Sequence, residues 1–263
     1  MKTIVITGST RGIGYNLADA FLSLDCAVAI NGRTPTSVES AVDSLSSKYS
    51  VDRVLGCPGD AANFKQAQSL WDTAKAHFGK IDIWINNAGI AHPQSDFWLL
   101  TPEQIEMVVQ TNLVGAMYGS VVALRGMLAQ GFGSLYNVEG LGSDGRRIVK
   151  GLALYASTKA GLAYFDTVLM QEAAGTPVLV GAIRPGMVAT DMITTQYTNT
   201  PQEWERAKRI LSIIADRPET VAPWIAGQVL ANTKNGVRIS YSSGAKVFLR
   251  FLTAPFNKRN VFD

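Results

Sequence analysis

Residues 7–14 read TGSTRGIG, directly after the β-branched run TIVI of residues 3–6 and directly before a helical pattern over residues 13–24. A strand, a glycine-rich turn and a helix in that order make a phosphate-binding loop. Glycine allows the tight turn and the close approach of a pyrophosphate, and the free N–H groups at a helix start favour its negative charge. Glycines also serve ordinary turns, so the context carries the reading. The loop residues toward a nucleotide are Gly8, Ser9, Thr10, Arg11, Gly12, Ile13 and Gly14.

Outward from this loop the same alternation continues. CAVAIN (26–31) precedes a helical pattern at 36–48, DRVLGC (52–57) one at 61–78, and IDIWIN (81–86) one at 102–130. GSLYNV (133–138) precedes a helix from about 155 to 174, PVLVGAI (177–183) a helical segment at about 201–233, and VRISY (237–241) closes the series. Strand and helix in turn predict βαβ units and a parallel sheet. The strands are apolar almost throughout rather than alternating, as in sheets covered on both faces. We therefore expect an α/β chain with a doubly wound, seven-stranded, mainly parallel sheet flanked by helices on both faces. No repeat and no low-complexity linker divides residues 1–263, so a single domain is expected.

Composition narrows the function classes. Of 263 residues 47% are hydrophobic and 17% charged, which excludes disorder. A net charge of +3 without a dense basic run argues against nucleic acid as a partner. Cys26 and Cys57 stand in no metal-ligand spacing, so no metal and a reduced compartment, cytoplasmic or another intracellular one, are expected. MKTIVITGST passes from a short apolar run straight into the loop, so no signal peptide is expected, and no run of about 18 apolar residues is apparent.

Four further motifs accompany the loop: NNAG at 86–89, NLVG beginning at Asn112, YASTK at 155–159 and PGMVAT at 185–190. Together with TGxxxGIG they resemble the short-chain dehydrogenase/reductase family over most of the chain, which implies a Rossmann-type fold and a nicotinamide dinucleotide. The second strand ends AINGRT, without the acid that usually holds the ribose hydroxyls of NAD. Arg33 can instead fork onto a 2′-phosphate, with Arg11 approaching the same group, so NADPH is expected ahead of NADH. Asp60 either contacts adenine, as the resemblance implies, or caps the following helix. Asn86, Asn87, Ala88 and Gly89 shape the wall beside the adenosine ribose or simply form a turn. In PGMVAT, the resemblance places Pro185, Gly186, Val188 and Thr190 at the nicotinamide end, Thr190 on the carboxamide.

Tyr155 and Lys159, four residues apart, share one helix face. A nearby ammonium is expected to lower the phenol from its ordinary pKa of about 10. The chemistry implied is carbonyl reduction, with hydride from the nicotinamide, a proton from Tyr155, and Lys159 also on the nicotinamide ribose. Asn112 resembles the residue supporting a proton-relay water, its rival role being to kink its helix.

The family pattern fails at one point. Its members carry a serine at the end of the fifth strand, where this chain reads LYNVEGLGSDG, with Glu139 and Gly140 at the strand end and Gly142 at the usual distance before the tyrosine. Ser143 is the nearest hydroxyl, and glycine freedom would let it swing into the missing place, against a plain turn role. Glu139 is either a substrate-facing carboxylate or a salt-bridged group. The NVEGLGS loop, RPETVAPWIAGQVL and RISYSSGAKVFLRFLTAP are similar to the chlorophyll b reductase-like branch. That likeness implies reduction of a formyl group on a bulky cyclic pigment. Generic ketone, quinone or 3-oxoacyl reduction is the alternative, and a nonenzymatic NADPH-sensing protein is the alternative of another class.

A substrate lid is expected over about 187–215, with Met192, Ile193, Tyr197 and Trp204 closing on the substrate. The segment at about 244–263 sets Phe248, Leu249, Phe251, Leu252 and Phe256 among Lys246, Arg250, Lys258 and Arg259. Such a stretch docks on a membrane or pigment carrier, or covers the protein's own apolar surface. The resemblance implies a homodimer or homotetramer.

Overall fold

Strand β1 (Thr3–Ile6) is buried along its whole length and pairs in parallel with β2 (Ala27–Gly32) on one side and β4 (Ile83–Asn86) on the other. The computed structural model describes residues 1–145, 148–254 and 259–262. With β3 (Val54–Pro58), β5 (Gly133–Val138), β6 (Val178–Arg184) and β7 (Arg238–Ser240) the sheet runs β3-β2-β1-β4-β5-β6-β7, every pairing parallel. The sequence reading of seven strands and a doubly wound fold is borne out.

Two apolar layers explain why the strands lack polar faces. On one side Leu17 and Phe21 of α1 (Gly12–Ser23) and Leu45 of α2 (Pro35–Ser46) meet Ile4, Ile6 and Ile30 of the sheet. Val221 and Ile225 of α9 (Pro218–Ala231) complete that layer. On the other side Trp71 of α3 (Phe64–Phe78), Met127 of α5 (Gly115–Gln130) and Leu169 of α6 (Ala153–Glu172) cover Val5, Trp84 and Val180. The order of strands reverses between β1 and β4, and a crevice opens there at the carboxyl ends of the strands, the place where open α/β sheets bind ligands.

The helical stretch expected at 102–130 is α4 (Pro102–Val109) and α5 joined by a π-helical segment, Gln110–Val114, that holds Asn112 buried. By length and composition Pro102–Gln130 would also span a membrane, but here it packs on α3 and the sheet as a core element. The segment at 201–233 is two helices, α8 (Pro201–Ile214) and α9, preceded by the short α7 (Asp191–Thr195). The break falls at 215–217, where Asp216 pairs its backbone with Met187 and Ala189 instead of continuing the helix, and Pro218 restarts it. The last helix, α10 (Gly244–Thr253), follows β7. Phe256 and Lys258 of the expected amphipathic segment lie outside the described residues.

Candidate active site

The phosphate loop is built by stitching β1 to its neighbours. Ser9, fully buried, donates its hydroxyl to the Ile6 carbonyl (2.7 Å) and accepts from Asn31 N–H (2.9 Å). Thr7 Oγ1 accepts the N–H groups of Asn87 and Ala88, both at 3.0 Å, and Asn87 Nδ2 donates to the carbonyls of Thr7 (3.0 Å) and Gly8 (2.9 Å). Gly8 has φ +61°, and a Cβ there would lie 2.8 Å from Ala88 Cα, so both its conformation and the contact demand glycine. Arg11, the residue before α1, places no side chain on the helix start, which leaves the first-turn N–H groups to an anion.

This loop forms one wall of a cavity of about 750 Å³ that runs from Arg33 past Gly89 to Tyr155 and α7. Gly12, Asp60, Ala88, Pro185, Val188 and Thr190 also line it. Thr10, Ile13, Gly14, Asn87 and Gly186 join them, so nearly every expected cofactor residue is gathered on one surface. Of the loop residues Gly8 to Gly14, Ser9 alone sits behind the wall, as a structural tie. Arg33 is exposed at the rim, whereas Arg11 lies 3.8 Å from Asp191 at the start of α7. Asp60 does not cap α3, whose N-cap is Asn63; its carboxylate accepts from Ala62 N–H (2.9 Å). Asn86 points away, bonding Ala116, Ser120 and Asn137 behind the sheet. Sequence reasoning missed Gly32: a Cβ there would lie 2.4 Å from Thr10 Cγ2, a constraint set by a loop 22 residues away that no local pattern reveals.

At the inner end α6 delivers Tyr155 and Lys159, 7% and 4% exposed. Lys159 Nζ donates to the Val138 carbonyl at the end of β5 (2.9 Å). Asn112 binds Ile90 in both directions, accepting from its N–H (2.8 Å) and donating to its carbonyl (3.0 Å), and also donates to Thr158 Oγ1 (3.2 Å). It thus ties the loop after β4 to α6 beside Lys159. Burial pushes the phenol of Tyr155 up to about 12. Burial also brings the Lys159 ammonium down to about 8, with Asp166 and Glu139 opposing. The lowered phenol expected from the four-residue spacing is therefore corrected: the amine turns to Val138, and burial raises the phenol. The phenol therefore holds its proton at neutral pH.

On the strand-end side of the phenol, residue 140 contributes no side chain. A Cβ on Gly140 would lie 2.7 Å from Tyr155 Oη, so Gly140 occupies the place from which a strand-end serine would reach. Gly142, at φ +98°, faces the Ala156 backbone instead. Ser143 donates to the Lys159 carbonyl (3.2 Å) and accepts from Gly140 N–H (3.0 Å). Glu139, whose side chain is fully buried, bonds Arg184 Nε and, at 3.2 Å, Arg238 Nε, which settles it as an ion-paired group rather than one facing a substrate. The hydroxyl of Tyr155 meets Met192 Sδ of α7 at 3.9 Å. Ile193 and Tyr197 line the cavity with Met192, while Trp204 stacks on Tyr197 at 5.4 Å and stays outside.

A family model described as short chain dehydrogenase matches residues 2–201. The chain is 31% identical over 278 residues to a probable chlorophyll(ide) b reductase, NYC1, chloroplastic, of Oryza sativa subsp. japonica, an alignment covering 100% of this chain and 54% of that protein. It therefore spans little more than half of that relative. It is 33% identical over 255 residues to the chlorophyll(ide) b reductase NOL, chloroplastic, of the same plant, covering 95% of this chain and 71% of the relative. Among solved structures, a 3-ketoacyl-(acyl-carrier-protein) reductase from Brucella melitensis complexed with NADH superposes with a TM-score of 0.78 at 23% identity. That superposition covers 93% of this chain and 98% of the other, and shares the fold.

Proposed function

The chain belongs to the short-chain dehydrogenase family, and on that premise we propose that it is an NADPH-dependent reductase of a formyl group on a bulky cyclic compound of the chlorophyll b kind. The observation that carries the reading is Gly140. The Tyr155 hydroxyl packs against its backbone, where a Cβ would lie 2.7 Å away, so the strand end sets no serine on the substrate and Met192 of α7 is the side chain that meets the phenol at the cavity. The names of the two plant relatives support the same substrate class.

The residues present fit a nicotinamide dinucleotide. Gly8 leaves a cradle that a Cβ would fill, the start of α1 is uncapped, and Asn87 Oδ1 is buried without a partner beside them. Bound there, the dinucleotide would supply the hydride. The chain's own part is acid catalysis and orientation: Tyr155 gives its phenolic proton to the carbonyl oxygen, so that carbonyl, hydride and proton balance to an alcohol. Lys159 would carry a positive charge beside the ribose, and Asn112 fixes the loop that faces it. Thr190, Val188, Pro185 and Gly186 would enclose the nicotinamide end.

The preference for NADPH rests on Gly32 and Arg33. A side chain at residue 32 is shut out by Thr10, which excludes an acid there, and Arg33 follows at the exposed rim. Arg33→Ala is expected to weaken NADPH binding about 10-fold or more, the loss of a charge-assisted contact, and to leave NADH binding unchanged. Fluorescence titration with both dinucleotides reads this, and equal losses for the two would refute the assignment.

For Ser143 we assign a positioning role, since its hydroxyl ties Gly140 to α6. Ser143→Ala is expected to lower kcat by about fivefold, the worth of one hydrogen bond near 1 kcal/mol. A drop beyond about 100-fold would place the hydroxyl on the substrate instead. The deciding experiment for the reading as a whole is NADPH oxidation against formyl-bearing pigments, ketones, quinones and 3-oxoacyl thioesters. Turnover confined to the last three classes replaces the pigment reading, and dinucleotide binding without turnover on any of them makes the protein a sensor.

A further inference from the structure

Asp216 faces two parts of the molecule at once. Its backbone holds the loop that follows β6: Asp216 N–H donates to the Met187 carbonyl (3.0 Å), and Ala189 N–H donates to the Asp216 carbonyl (2.9 Å). Its carboxylate points into the C-terminal segment. Arg250 Nη2 lies 2.7 Å from both oxygens, Arg259 Nη2 lies 2.7 Å from Oδ1, and Lys246 Nζ stands 3.6 Å from Oδ2. The same arginines close the open end of α8, Arg250 Nη1 donating to the Ile214 carbonyl and Arg259 Nη1 to that of Ile213, each at 2.9 Å.

A second link runs in parallel. Phe262 packs edge-on against Trp204 at 5.2 Å, and Trp204 stacks on Tyr197, which lines the cavity. Leu211 and Ile214 of α8 line it too. Burial by itself would raise the Asp216 carboxyl; Arg250, Arg259 and Lys246 outweigh it and hold the group below the usual carboxylate range. One buried acid thus faces three cations drawn from α10 and the tail. Their inward turn leaves Phe248, Leu249, Phe251 and Leu252 as the exposed side of α10.

We infer that Asp216 is a positioning residue that fastens the C-terminal segment to the substrate loop, so that residues 244–254 and 259–262 set where Met192 and Tyr197 stand over Tyr155. Without the carboxylate, Arg250 and Arg259 would be left beside one another with no counter-charge, and the end of α8 would lose its caps. The coupling is a property of the fold; its effect on turnover rests on the reductase reading above.

The test uses the full chain with Asp216→Asn, Asp216→Glu and Arg259→Ala. Amide hydrogen exchange across 187–197 is expected to quicken about 10-fold or more in Asp216→Asn, with β4 unchanged, less in Arg259→Ala, and to be largely restored in Asp216→Glu. KM for the carbonyl substrate is expected to rise about 10-fold with kcat within about threefold, since contacts are lost to bound substrate rather than to the reacting atoms. Should Asp216→Asn fail to fold, Arg259→Ala, which keeps Arg250 on the carboxylate, carries the test. Unchanged exchange and KM in the variants that fold, or an equal quickening in β4, overturns the inference. Quickened exchange confined to 187–197 without turnover of any carbonyl by the parent protein leaves the coupling standing and removes the reductase reading.

Discussion

Tyr155→Phe is expected to lower carbonyl reduction by about 10²–10⁴-fold while changing NADPH affinity by less than about threefold. The ring stays in place on α6 against Met192 of α7, so the change removes one oxygen and its proton and little else. The loss is large because nothing beside the phenol can replace it. Gly140 presents no side chain there, the one hydrogen-bond contact of the hydroxyl among the described residues is the weak acceptor Met192 Sδ, and the Ser143 hydroxyl is committed to Lys159 and Gly140. Burial keeps the phenol protonated up to about 12, so the parent protein holds its acid ready across the neutral range. Single-turnover measurement with saturating NADPH separates this loss from any change in binding. A variant that keeps a tenth or more of the parent rate, about 1.4 kcal/mol or less in barrier, would show that the proton comes from elsewhere.

Glu139→Gln is expected to cost about 2–4 kcal/mol of stability. The substitution keeps the shape and removes the charge that pairs two guanidiniums drawn from different strands, Arg184 from β6 and Arg238 from β7. Glu139 is fully buried, whereas the two arginines are 34% and 29% exposed, so water screens part of the loss and the value falls short of that for a wholly buried pair. Arg238 keeps its bonds to the Ala163 carbonyl and Thr167 Oγ1, which limits the loss further. For a chain of this length the cost corresponds to a fall in Tm of about 5–10 °C, read by calorimetry on parent and variant together. A change below about 0.5 kcal/mol would mean that the arginines find other acceptors at no cost. Because Glu139 adjoins Gly140, the variant also asks whether the strand end must be rigid for the phenol to be reached.

Neither role follows from the same kind of signal. The phosphate loop, the seven strands and the Tyr155–Lys159 pair were legible because each is written in short spacing. Glycines at a strand-to-helix turn, apolar runs of strand length and residues four apart on a helix constrain the structure wherever the rest of the chain goes. The same local logic misjudged the phenol, since spacing brings two groups near one another but says nothing of how deeply both are buried or where an amine turns. It also ran the 201–233 segment together, because the pairing of Asp216 with Met187 and Ala189 that breaks it belongs to no helix period.

The sequence by itself therefore determined the parallel, doubly wound sheet, the glycine loop after its first strand and the Tyr155–Lys159 pair on one helix face. Tertiary structure alone decided that Glu139 is an ion-pair anchor, that Gly140 rather than Gly142 faces the phenol, that the Ser143 hydroxyl bonds Gly140 and the Lys159 carbonyl of α6, and that Asp216 gathers the C-terminal cations. The partners explain the division. Glu139 finds its arginines 45 and 99 residues away, and Asp216 finds Arg250 and Arg259 34 and 43 residues away, across strands and helices whose packing fixes the distance. Backbone periodicity is set by neighbours along the chain, whereas the charge state and bonding of a buried side chain are set by whatever the fold brings against it.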